Sequence, residues 1–386
     1  MSPEQRPRAR DSSPIEPAAL PGRLPQEGDP VILTITKGTV KSVLLWIRRI
    51  LGWATFSYVG LLIVILIALE WWGERSWLFS VFLYAPPQLL LSPLIALTPL
   101  CLLFRWRLVL WHLAAVAVLF FGYMTFRWTL RPSPNPSAIT VVTFNAGESN
   151  RAQFHDFIAQ EKPDIIFLQD ARSRGLELAA KHPEKFAAHL GRFSFISRFP
   201  LQKMTYVEGA KWQGEPIAAR CETTVAGRTV ALYSVHLPTP RQQLSRFLGG
   251  RRILGDLVGR KSREPGFGAY REWLAARIEL ARNLAGVFAQ EPLPVIVGGD
   301  FNTPDHGYIY RLFSSQMTDA FAHAGRGWGL TFPGSTRNPV TLFGPWLRLD
   351  YFFVGRGWKV IECRPEPGGK SQHKAVLARI EPSLQP

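Results

Sequence analysis

The sequence has little of what stabilises small secreted proteins or marks several common enzyme classes. Its 386 residues include three cysteines, too few for a fold held together by disulfides. It contains no Gly-x-x-x-x-Gly-Lys loop, no Gly-x-Ser-x-Gly elbow and no Gly-x-Gly-x-x-Gly segment after a predicted strand. It also lacks closely spaced Cys and His ligands and an HExxH helix, which argues against a zinc site. These absences disfavour P-loop nucleotide hydrolysis, serine hydrolysis and zinc chemistry.

Charged residues are also scarce, at 19% of the chain, and cations dominate among them. The sequence has 45 Lys and Arg against 29 Asp and Glu, which gives a net charge of +16. A basic protein suits anionic partners such as phosphates, nucleic acid or lipid headgroups, but charge alone does not choose among them.

Three long runs without a formal charge, Leu51–Leu69, Trp77–Phe104 and Leu108–Phe126, explain the low charge content. A bilayer core requires about 20 apolar residues per helix, so we predict about three transmembrane helices in a membrane region, residues 43–130. Prolines interrupt the middle run, which is either kinked or begins after Pro86-Pro87. His112 has no acidic partner in its run, and we interpret it as a histidine that contacts another helix or lies at the interface.

Basic residues near the runs predict the orientation. Six lie before the first run or between the second and third, and three lie on the other side. The positive-inside rule therefore predicts a multi-pass protein of the cytoplasmic membrane, with its C-terminal domain on the periplasmic or extracellular side. In an oxidising compartment Cys221 and Cys363 either form a disulfide or remain as two buried thiols.

Composition divides the rest of the chain. Residues 1–42 form an N-terminal cytoplasmic segment, in which residues 1–30 are expected to be disordered. Residues 131–138 form a proline-rich linker, and residues 139–386 form one domain. This domain alternates β-branched runs with amphipathic segments, which predicts an α/β layered fold. The predicted strands are Ile139–Phe144, Ile165–Leu168, Thr229–Val235 and Val295–Val297, and the predicted helices are Gln153–Glu161 and Tyr270–Gln290.

We place polar side chains at the predicted carboxyl ends of strands, where α/β proteins bind ligands. They are Asn145, Asp170, His236, Asp300, Asn302 and Asp350, and His373 stands just before a further run, Ala375–Ile380. Each alone has a structural interpretation, as a loop cap, a helix N-cap or a core histidine. Their recurrence at six strand ends favours a shared site. In Gly298-Gly299-Asp300-Phe301-Asn302, we interpret the two glycines as a tight turn with room for a phosphate.

The ordered series of motifs resembles the endonuclease/exonuclease/phosphatase superfamily of metal-dependent phosphoesterases, over about Ile139 to Ile380. The resemblance implies a four-layer sandwich of two packed β-sheets flanked by helices. It also implies that Asp170, where the family has Glu, binds the metal with support from Asn145. Asp300 would activate the attacking water, and Asn302 would donate to the phosphate.

The resemblance further implies that His373, oriented by Asp350, holds the phosphate or shuttles a proton. His236 would donate to another phosphoryl oxygen, and Glu215 of Gly-Glu-Pro-Ile would orient His236. Two positions depart from the family. Asp170 is one methylene shorter than Glu, and Gln372 replaces the Asp of a Ser-Asp-His motif, which removes a negative charge beside the metal.

The residue types agree with phosphoester chemistry independently of the family. Carboxylate and amide oxygens suit Mg²⁺, with Mn²⁺ as the alternative. The expected partners are the lipid bilayer and a phosphorylated lipid or other phosphoester, with nucleic acid as the alternative substrate. The two departures leave a catalytically impaired binding module as a third hypothesis. The basic, apolar-interleaved segment from Arg241 to Arg263 is either a flap on anionic headgroups or a solvated insertion.

Overall fold

The computed structural model describes residues 37–130, 136–147, 151–248, 267–334, 344–367 and 372–383. It divides into two compact units, Met1–Ile47 and Arg48–Pro386. Of the first unit, only the beginning of the first helix is described. The predicted disorder of residues 1–30, most of the linker and the later part of the Arg241–Arg263 segment lie outside the described residues.

Residues 37–123 are mostly helical, and three helices in the described part are long and apolar enough to cross a membrane: Gly38–Trp71, Pro87–Phe104 and Trp106–Tyr123. The predicted membrane region therefore contains the expected number of candidate spans. The helices are α1 Lys37–Trp71, α2 Trp77–Tyr84, α3 Ser92–Phe104 and α4 Val109–Ala117, with 3₁₀ turns at Gly73–Arg75, Pro87–Leu91 and Trp106–Leu108 and a π-helix at Val118–Tyr123.

The middle run is not one continuous helix. α2 ends at Tyr84, and the candidate span begins at Pro87, because a proline pair removes backbone donors and disfavours helix in the residue before it. Of the two alternatives, a later start is the one observed. His112 contacts two neighbouring helices through Thr55 Oγ1, 3.2 Å from Nε2, and Thr98 Oγ1, 3.0 Å from Nδ1. The helix-contact interpretation of His112 is confirmed.

The rest of the chain is a mixed α/β domain. Its strands, with one that precedes it, are β1 Arg127–Trp128, β2 Ile139–Asn145, β3 Ile165–Gln169, β4 Phe186–Leu190, β5 Phe193–Ser197, β6 Leu201–Tyr206, β7 Lys211–Trp212, β8 Glu215–Pro216, β9 Ala218–Val225, β10 Arg228–His236, β11 Val295–Asp300, β12 Thr318–Asp319, β13 Arg326–Gly327, β14 Asp350–Val354, β15 Trp358–Pro365 and β16 Val376–Pro382. Its helices are α5 Arg151–Glu161, α6 Ser173–Ala180, α7 Arg241–Leu248, α8 Phe267–Gln290, α9 Tyr308–Ser314 and α10 Ala320–Ala324.

These elements form four layers. Across the described ranges, two six-stranded sheets have the orders β12-β14-β11-β10-β9-β6 and β15-β16-β2-β3-β5-β4. Phe167 and Phe195 of one sheet pack against Phe352 of the other in a buried core between them. Helices α8 and α9 cover the outer face of the first sheet, and α5 and α6 cover that of the second. The predicted sandwich is confirmed. Cys221 and Cys363 are both buried in the core between the sheets and are free thiols.

Strand pairing brings the polar residues together, but not all at carboxyl ends. β10 and β11 are parallel, and His236 is the register partner of Asp300. β14 is antiparallel to β11, so Asp350 enters the same edge as the first residue of its strand. His373 likewise precedes β16, which is antiparallel to β2. The placement of Asp350 at a carboxyl end was wrong, although the edge of the sheet is the predicted one.

The glycine pair also differs from the prediction. Gly298 and Gly299 lie inside β11 rather than in a turn after it. A Cβ on Gly299 would lie 2.1 Å from the backbone oxygen of Val235 in β10, and one on Gly298 would lie 2.6 Å from the ring of Phe352. The glycines therefore allow close approach of a neighbouring strand and a core aromatic ring.

We expect Gly299→Ala to lower the free energy of unfolding by about 1–3 kcal/mol, because its Cβ meets a backbone atom that cannot rotate away. Gly286→Ala makes the same change inside α8, where no neighbour lies within 4 Å of the new Cβ, and should leave stability unchanged or slightly higher. Denaturant unfolding of the detergent-solubilised protein measures both. Equal stability of the two variants would contradict the close-approach explanation.

Candidate active site

The predicted residues meet in an open cleft of about 440 Å³ where the ends of both sheets come together. Asn145 ends β2 and His236 ends β10, while Asp300 ends β11 and is followed by Asn302 in a loop. The cleft is lined by Asn145, Gly147, Asp170, Arg192, Trp212, Glu215, His236, Arg241, Trp273, Asp300, Asn302 and His373, among others. Most of the sequence-predicted set thus lines one cleft, while Asp350 lies behind His373 and Gln372 contacts Arg241.

Asp300 lies at the centre of this cleft and is 1% exposed. Its Oδ1 accepts a hydrogen bond from the backbone N–H of Asn302 at 2.9 Å, and its Oδ2 accepts one from Asn145 Nδ2 at 2.9 Å. The Nε2 atoms of His236 and His373 lie 3.6 Å and 3.7 Å from the same Oδ2. One buried carboxylate therefore joins residues from both sheets.

His373 is paired with a second buried carboxylate. Its Nδ1 lies 3.0 Å from Asp350 Oδ2. The hydroxyl oxygen of Thr331 accepts a hydrogen bond from the backbone N–H of Asp350 at 3.3 Å. Burial alone would lower the pKa of His373, but the charges of Asp350 and Asp300 raise it to about 9. Burial, in turn, raises the pKa of Asp350. The imidazole is therefore held in its protonated, hydrogen-donating form near neutral pH.

A second group of charges surrounds Asp170. Arg192 Nε donates to Asp170 Oδ1 at 2.7 Å, and Arg192 Nη2 lies 2.8 Å from His236 Nδ1. His236 Nδ1 also lies 3.5 Å from Asp170 Oδ2. Burial raises the pKa of Asp170, but His236 and Arg192 outweigh it and hold that pKa well below its usual range. Asp170 is therefore a carboxylate at all ordinary pH values.

Arg192 was not predicted from the sequence. It follows Gly191, which has φ +58°, in the tight turn between β4 and β5. The glycine is a local sign of a turn, but the partner of Arg192 depends on how two sheets pack, which periodicity does not reveal.

The backbone also marks the site. Asp170 and Asn302 have φ values of +47° and +49°, in the left-handed region that most residues with a Cβ avoid. Asn and Asp tolerate this region best after glycine. Such conformations persist where surrounding contacts enforce them, often at functional sites.

The arrangement of oxygens fits a hard divalent cation. Asn145 Oδ1 and Asp170 Oδ2 would each lie 3.2 Å from a Cβ on Gly147, so this glycine leaves a small space between an amide oxygen and a carboxylate oxygen. Such oxygen ligands suit Mg²⁺ or Mn²⁺. Asp300, Asp350 and His373 form another group whose ligand atoms lie within 4.8 Å of one another. The predicted metal residues thus fit the ion, and their assignment stays a prediction.

Two further predictions have a weaker structural basis. Glu215 lies exposed in the two-residue strand β8 and lines the cleft, whereas His236 has polar contacts with Arg192, Asp170 and Asp300. Gln372 Oε1 lies 3.4 Å from Arg241 Nη2, and Arg241 stacks over the ring of Phe332. The roles of Glu215 and Gln372 stay predictions. The described part of the basic segment, α7, begins with Arg241 at this edge of the cleft.

Loop capping accounts for part of the polar pattern. Asn145 Oδ1 accepts the backbone N–H of Gly147 at 3.0 Å, and Asp300 Oδ1 accepts that of Asn302. Neither Asp170 nor Asp300 is a helix N-cap, since α6 is preceded by Arg172 and the described residues directly after Asp300 form a loop. The same side chains therefore shape the loops and line the cleft.

Comparison with known proteins gives one sequence match and several distant structural ones. A sequence model described as the Endonuclease/Exonuclease/phosphatase family matches residues 142–373, more than half of the chain. The comparison with curated proteins found no match. TDP2 of D. rerio, complexed with a single-strand DNA product, is 14% identical, with a TM-score of 0.45 over 64% of this chain and 99% of that one.

Two bacterial structures are similarly distant. The 3'-5' exonuclease NExo of Neisseria meningitidis is 18% identical, with a TM-score of 0.43 over 63% of this chain and 100% of that one. An endonuclease/exonuclease/phosphatase of Bacteroides vulgatus is 18% identical, with a TM-score of 0.43 over 64% and 99%. The sequence match, rather than these structural likenesses, decides the family.

We expect Asp170→Asn to weaken binding of Mg²⁺ at least about tenfold, because it removes a charged oxygen ligand that is ionised at all ordinary pH values. Asp156→Asn makes the same change at an exposed position of α5 and should bind as the parent does. Isothermal titration calorimetry with Mg²⁺, and with Mn²⁺ as a second probe, measures both. Unchanged affinity in Asp170→Asn would remove this residue from the metal site.

Proposed function

The chain belongs to the endonuclease/exonuclease/phosphatase family, and from this premise we propose that it hydrolyses a phosphoester at the outer face of the cytoplasmic membrane. Members of the family are metal-dependent phosphoesterases and nucleases. The observation that carries the proposal is the buried Asp300 carboxylate, which binds Asn145 and lies within 3.7 Å of both imidazoles. Hydrolysis of a phosphoester needs an oriented water and donors to the phosphoryl oxygens, and these groups supply both.

The residues divide the work by their charge. Asp300 is placed to accept a proton from the attacking water. His373 is protonated near neutral pH, and we assign it as a donor to a phosphoryl oxygen, with Asp350 orienting its ring. His236 faces the same space from β10 and donates to a second oxygen. Asn302 Nδ2 donates one hydrogen to Leu237 O at 2.9 Å, and we assign its other hydrogen to the phosphate.

We propose that Asn145 and Asp170 hold Mg²⁺, because their oxygens border the space beside Gly147. The bound ion would neutralise charge on the non-bridging oxygens of the phosphate. Arg192 adds a fixed positive charge on the same side of the cleft, since it contacts Asp170 and His236. This charge does not replace the carboxylate lost at Gln372, but the contacts of Asp300 with Asn145 and of His373 with Asp350 are intact, and we therefore favour an active enzyme over an impaired binding module.

The membrane helices favour a substrate at the bilayer surface, such as the phosphate of a phospholipid or polyprenyl lipid. The ends of α1 and α2 and the residues after the third span contact the domain through Glu70, Tyr84 and Thr125. The distribution of basic residues assigns these ends to the outer side, which supports an outward-facing domain. Nucleic acid is the second candidate substrate, because the family includes nucleases.

Substrate class is tested directly by offering two substrates to the purified full chain with Mg²⁺ or EDTA. Vesicles that contain phosphate-headgroup lipids should release a headgroup or phosphate in Mg²⁺ only, and plasmid DNA should stay intact. Cleavage of DNA without any lipid turnover would replace the lipid proposal with the nuclease alternative.

We expect Asp300→Asn to lower kcat for p-nitrophenyl phosphate esters by about 10³-fold, because it removes the base that accepts the water proton. The fold should persist, since an amide of equal size keeps most of the contacts of the carboxylate. Steady-state kinetics and circular dichroism measure the two effects, with Asp156→Asn as the matched control. Retention of activity in Asp300→Asn would refute its assigned role.

We expect a protease added outside intact cells to release the domain, because the basic residues predict an outward-facing C-terminal part. An epitope placed at the N-terminus should survive until the membrane is permeabilised. Immunoblotting for both ends measures the result. A fully protected domain together with a cleaved N-terminal epitope would reverse the orientation.

A further inference from the structure

The loop that follows Asp300 is hydrogen-bonded by residues at the ends of the candidate membrane helices. This catalytic loop, residues 301–306, carries Asn302 at its beginning and His306 at its end. Its contacts outside the domain come from α2, from the end of α1 and the turn after it, and from the end of the third candidate span and the residues that follow it. The membrane region therefore contacts the loop that carries Asn302, the proposed hydrogen-bond donor to the phosphate.

Tyr84, the last residue of α2, makes the most direct of these contacts. Its hydroxyl donates to the backbone oxygen of Asn302 at 3.1 Å and accepts a hydrogen bond from Arg277 Nη1 at 2.8 Å. Arg277 Nη2 donates to the same oxygen of Asn302 at 2.6 Å and to that of Phe301 at 3.2 Å. Two donors thus fix one carbonyl in a residue whose φ is +49°.

Arg277 connects this contact to the histidine side of the cleft. It is fully buried on α8, and its Nε donates to the oxygen of Pro238, two residues after His236. Every nitrogen of its guanidinium therefore has a partner. The loops after β10 and β11 both bind the Arg277 guanidinium. A shift of either loop would therefore leave this buried charge without one of its partners.

Glu74 supplies a second attachment. It is fully buried in the turn between α1 and α2, accepts a hydrogen bond from the Thr303 hydroxyl and lies 4.0 Å from Arg277 Nη1. A Cβ on Gly307 would lie 2.5 Å from its Oε1, so a side chain there would have to displace the Glu74 carboxylate. His306 Nδ1 lies 2.6 Å from Glu70 Oε1, and its Nε2 lies 2.9 Å from the backbone oxygen of Tyr123.

We propose that Tyr84 is a positioning residue for catalysis, and that the segment between the first two candidate spans completes the active site by holding the Asn302 carbonyl. The membrane region is then part of the catalytic structure as well as an anchor. This inference rests on the proposed function, since it assigns Tyr84 to the same site. The physical basis is that a displacement of a donor by a fraction of an ångström weakens transition-state contacts more than ground-state binding.

The test is Tyr84→Phe in the full chain, reconstituted in nanodiscs and assayed with bis-p-nitrophenyl phosphate and Mg²⁺. The variant loses one hydroxyl, which frees the Asn302 oxygen from one donor and leaves Arg277 Nη1 without its nearest acceptor. We expect kcat to fall about tenfold while KM stays within about twofold, because Tyr84 acts through Asn302 in the transition state.

Tyr58→Phe is the matched control. Its hydroxyl donates to the backbone oxygen of Leu90 at 2.7 Å, so the change also removes one hydrogen bond of the membrane region, but one that does not hold a backbone oxygen of the loop. Its kcat should equal that of the parent. An equal loss in both variants would overturn the proposal and indicate general loosening of the helices. Parental kcat in Tyr84→Phe would also overturn it.

Hydrogen exchange separates this inference from the proposed function. Amides of residues 301–307 should exchange faster in Tyr84→Phe than in Tyr58→Phe or the parent, whether or not a substrate is turned over. If the parent hydrolyses no phosphoester, the proposed function fails, and the exchange comparison still decides whether Tyr84 holds the loop. Identical exchange in all three proteins would overturn the positioning role.

Discussion

The carboxylate of Asp300 is the group on which the rest of the site depends. It is almost completely withdrawn from water, and a buried charge is tolerated only when donors and opposite charges surround it. Asn145 reaches it from one sheet, and His236 accompanies it from the adjacent parallel strand. His373 lies just before β16, the strand that pairs with β2 in the sheet of Asn145. The charges of Asp350 and Asp300 raise its pKa and keep it protonated. The packing of the two sheets is thereby connected to the chemistry.

A second buried charge, the Arg277 guanidinium, lies near Asp300 and binds the loop that follows it. Arg277 binds the oxygens of the loops after β10 and β11, and Glu74 and Tyr84 bring the membrane-proximal segment against the same point. Buried ionic groups contribute little net stability, but they select one arrangement because any other leaves a charge unpaired. Among the described residues, the segment between the first two candidate spans and the candidate site are therefore connected through a few oriented polar contacts.

The sequence predicted the edge of the sheets on which the site lies, because short polar groups after apolar β-branched runs are a strong local signal. The alternation of elements predicted a layered α/β domain, the family resemblance implied the sandwich, and the apolar runs predicted the number of candidate spans. The sequence pattern misplaced Asp350 at a carboxyl end, because strand direction depends on pairing. It interpreted Gly299 as a turn residue, because the clash with Val235 exists only in the folded sheet.

Other residues escaped prediction for the same reason. Arg192 follows a turn glycine, but its place in the site comes from its contacts with Asp170 and His236, which lie 22 and 44 residues away in the sequence. Arg277 occupies a position in the buried stripe of α8 with Leu274 and Ala281, where an unexpected charge could have been noticed. Its partner Tyr84 belongs to a different region of the chain, and no spacing rule connects them.

In the proposed reaction, water activated beside Asp300 attacks phosphorus. This step can be followed by hydrolysing bis-p-nitrophenyl phosphate with the full chain in ¹⁸O-labelled water and analysing both products by mass spectrometry. The label should enter the phosphoryl product, and the released nitrophenol should carry none. Label in the nitrophenol with unlabelled phosphate would show attack at carbon and exclude attack at phosphorus.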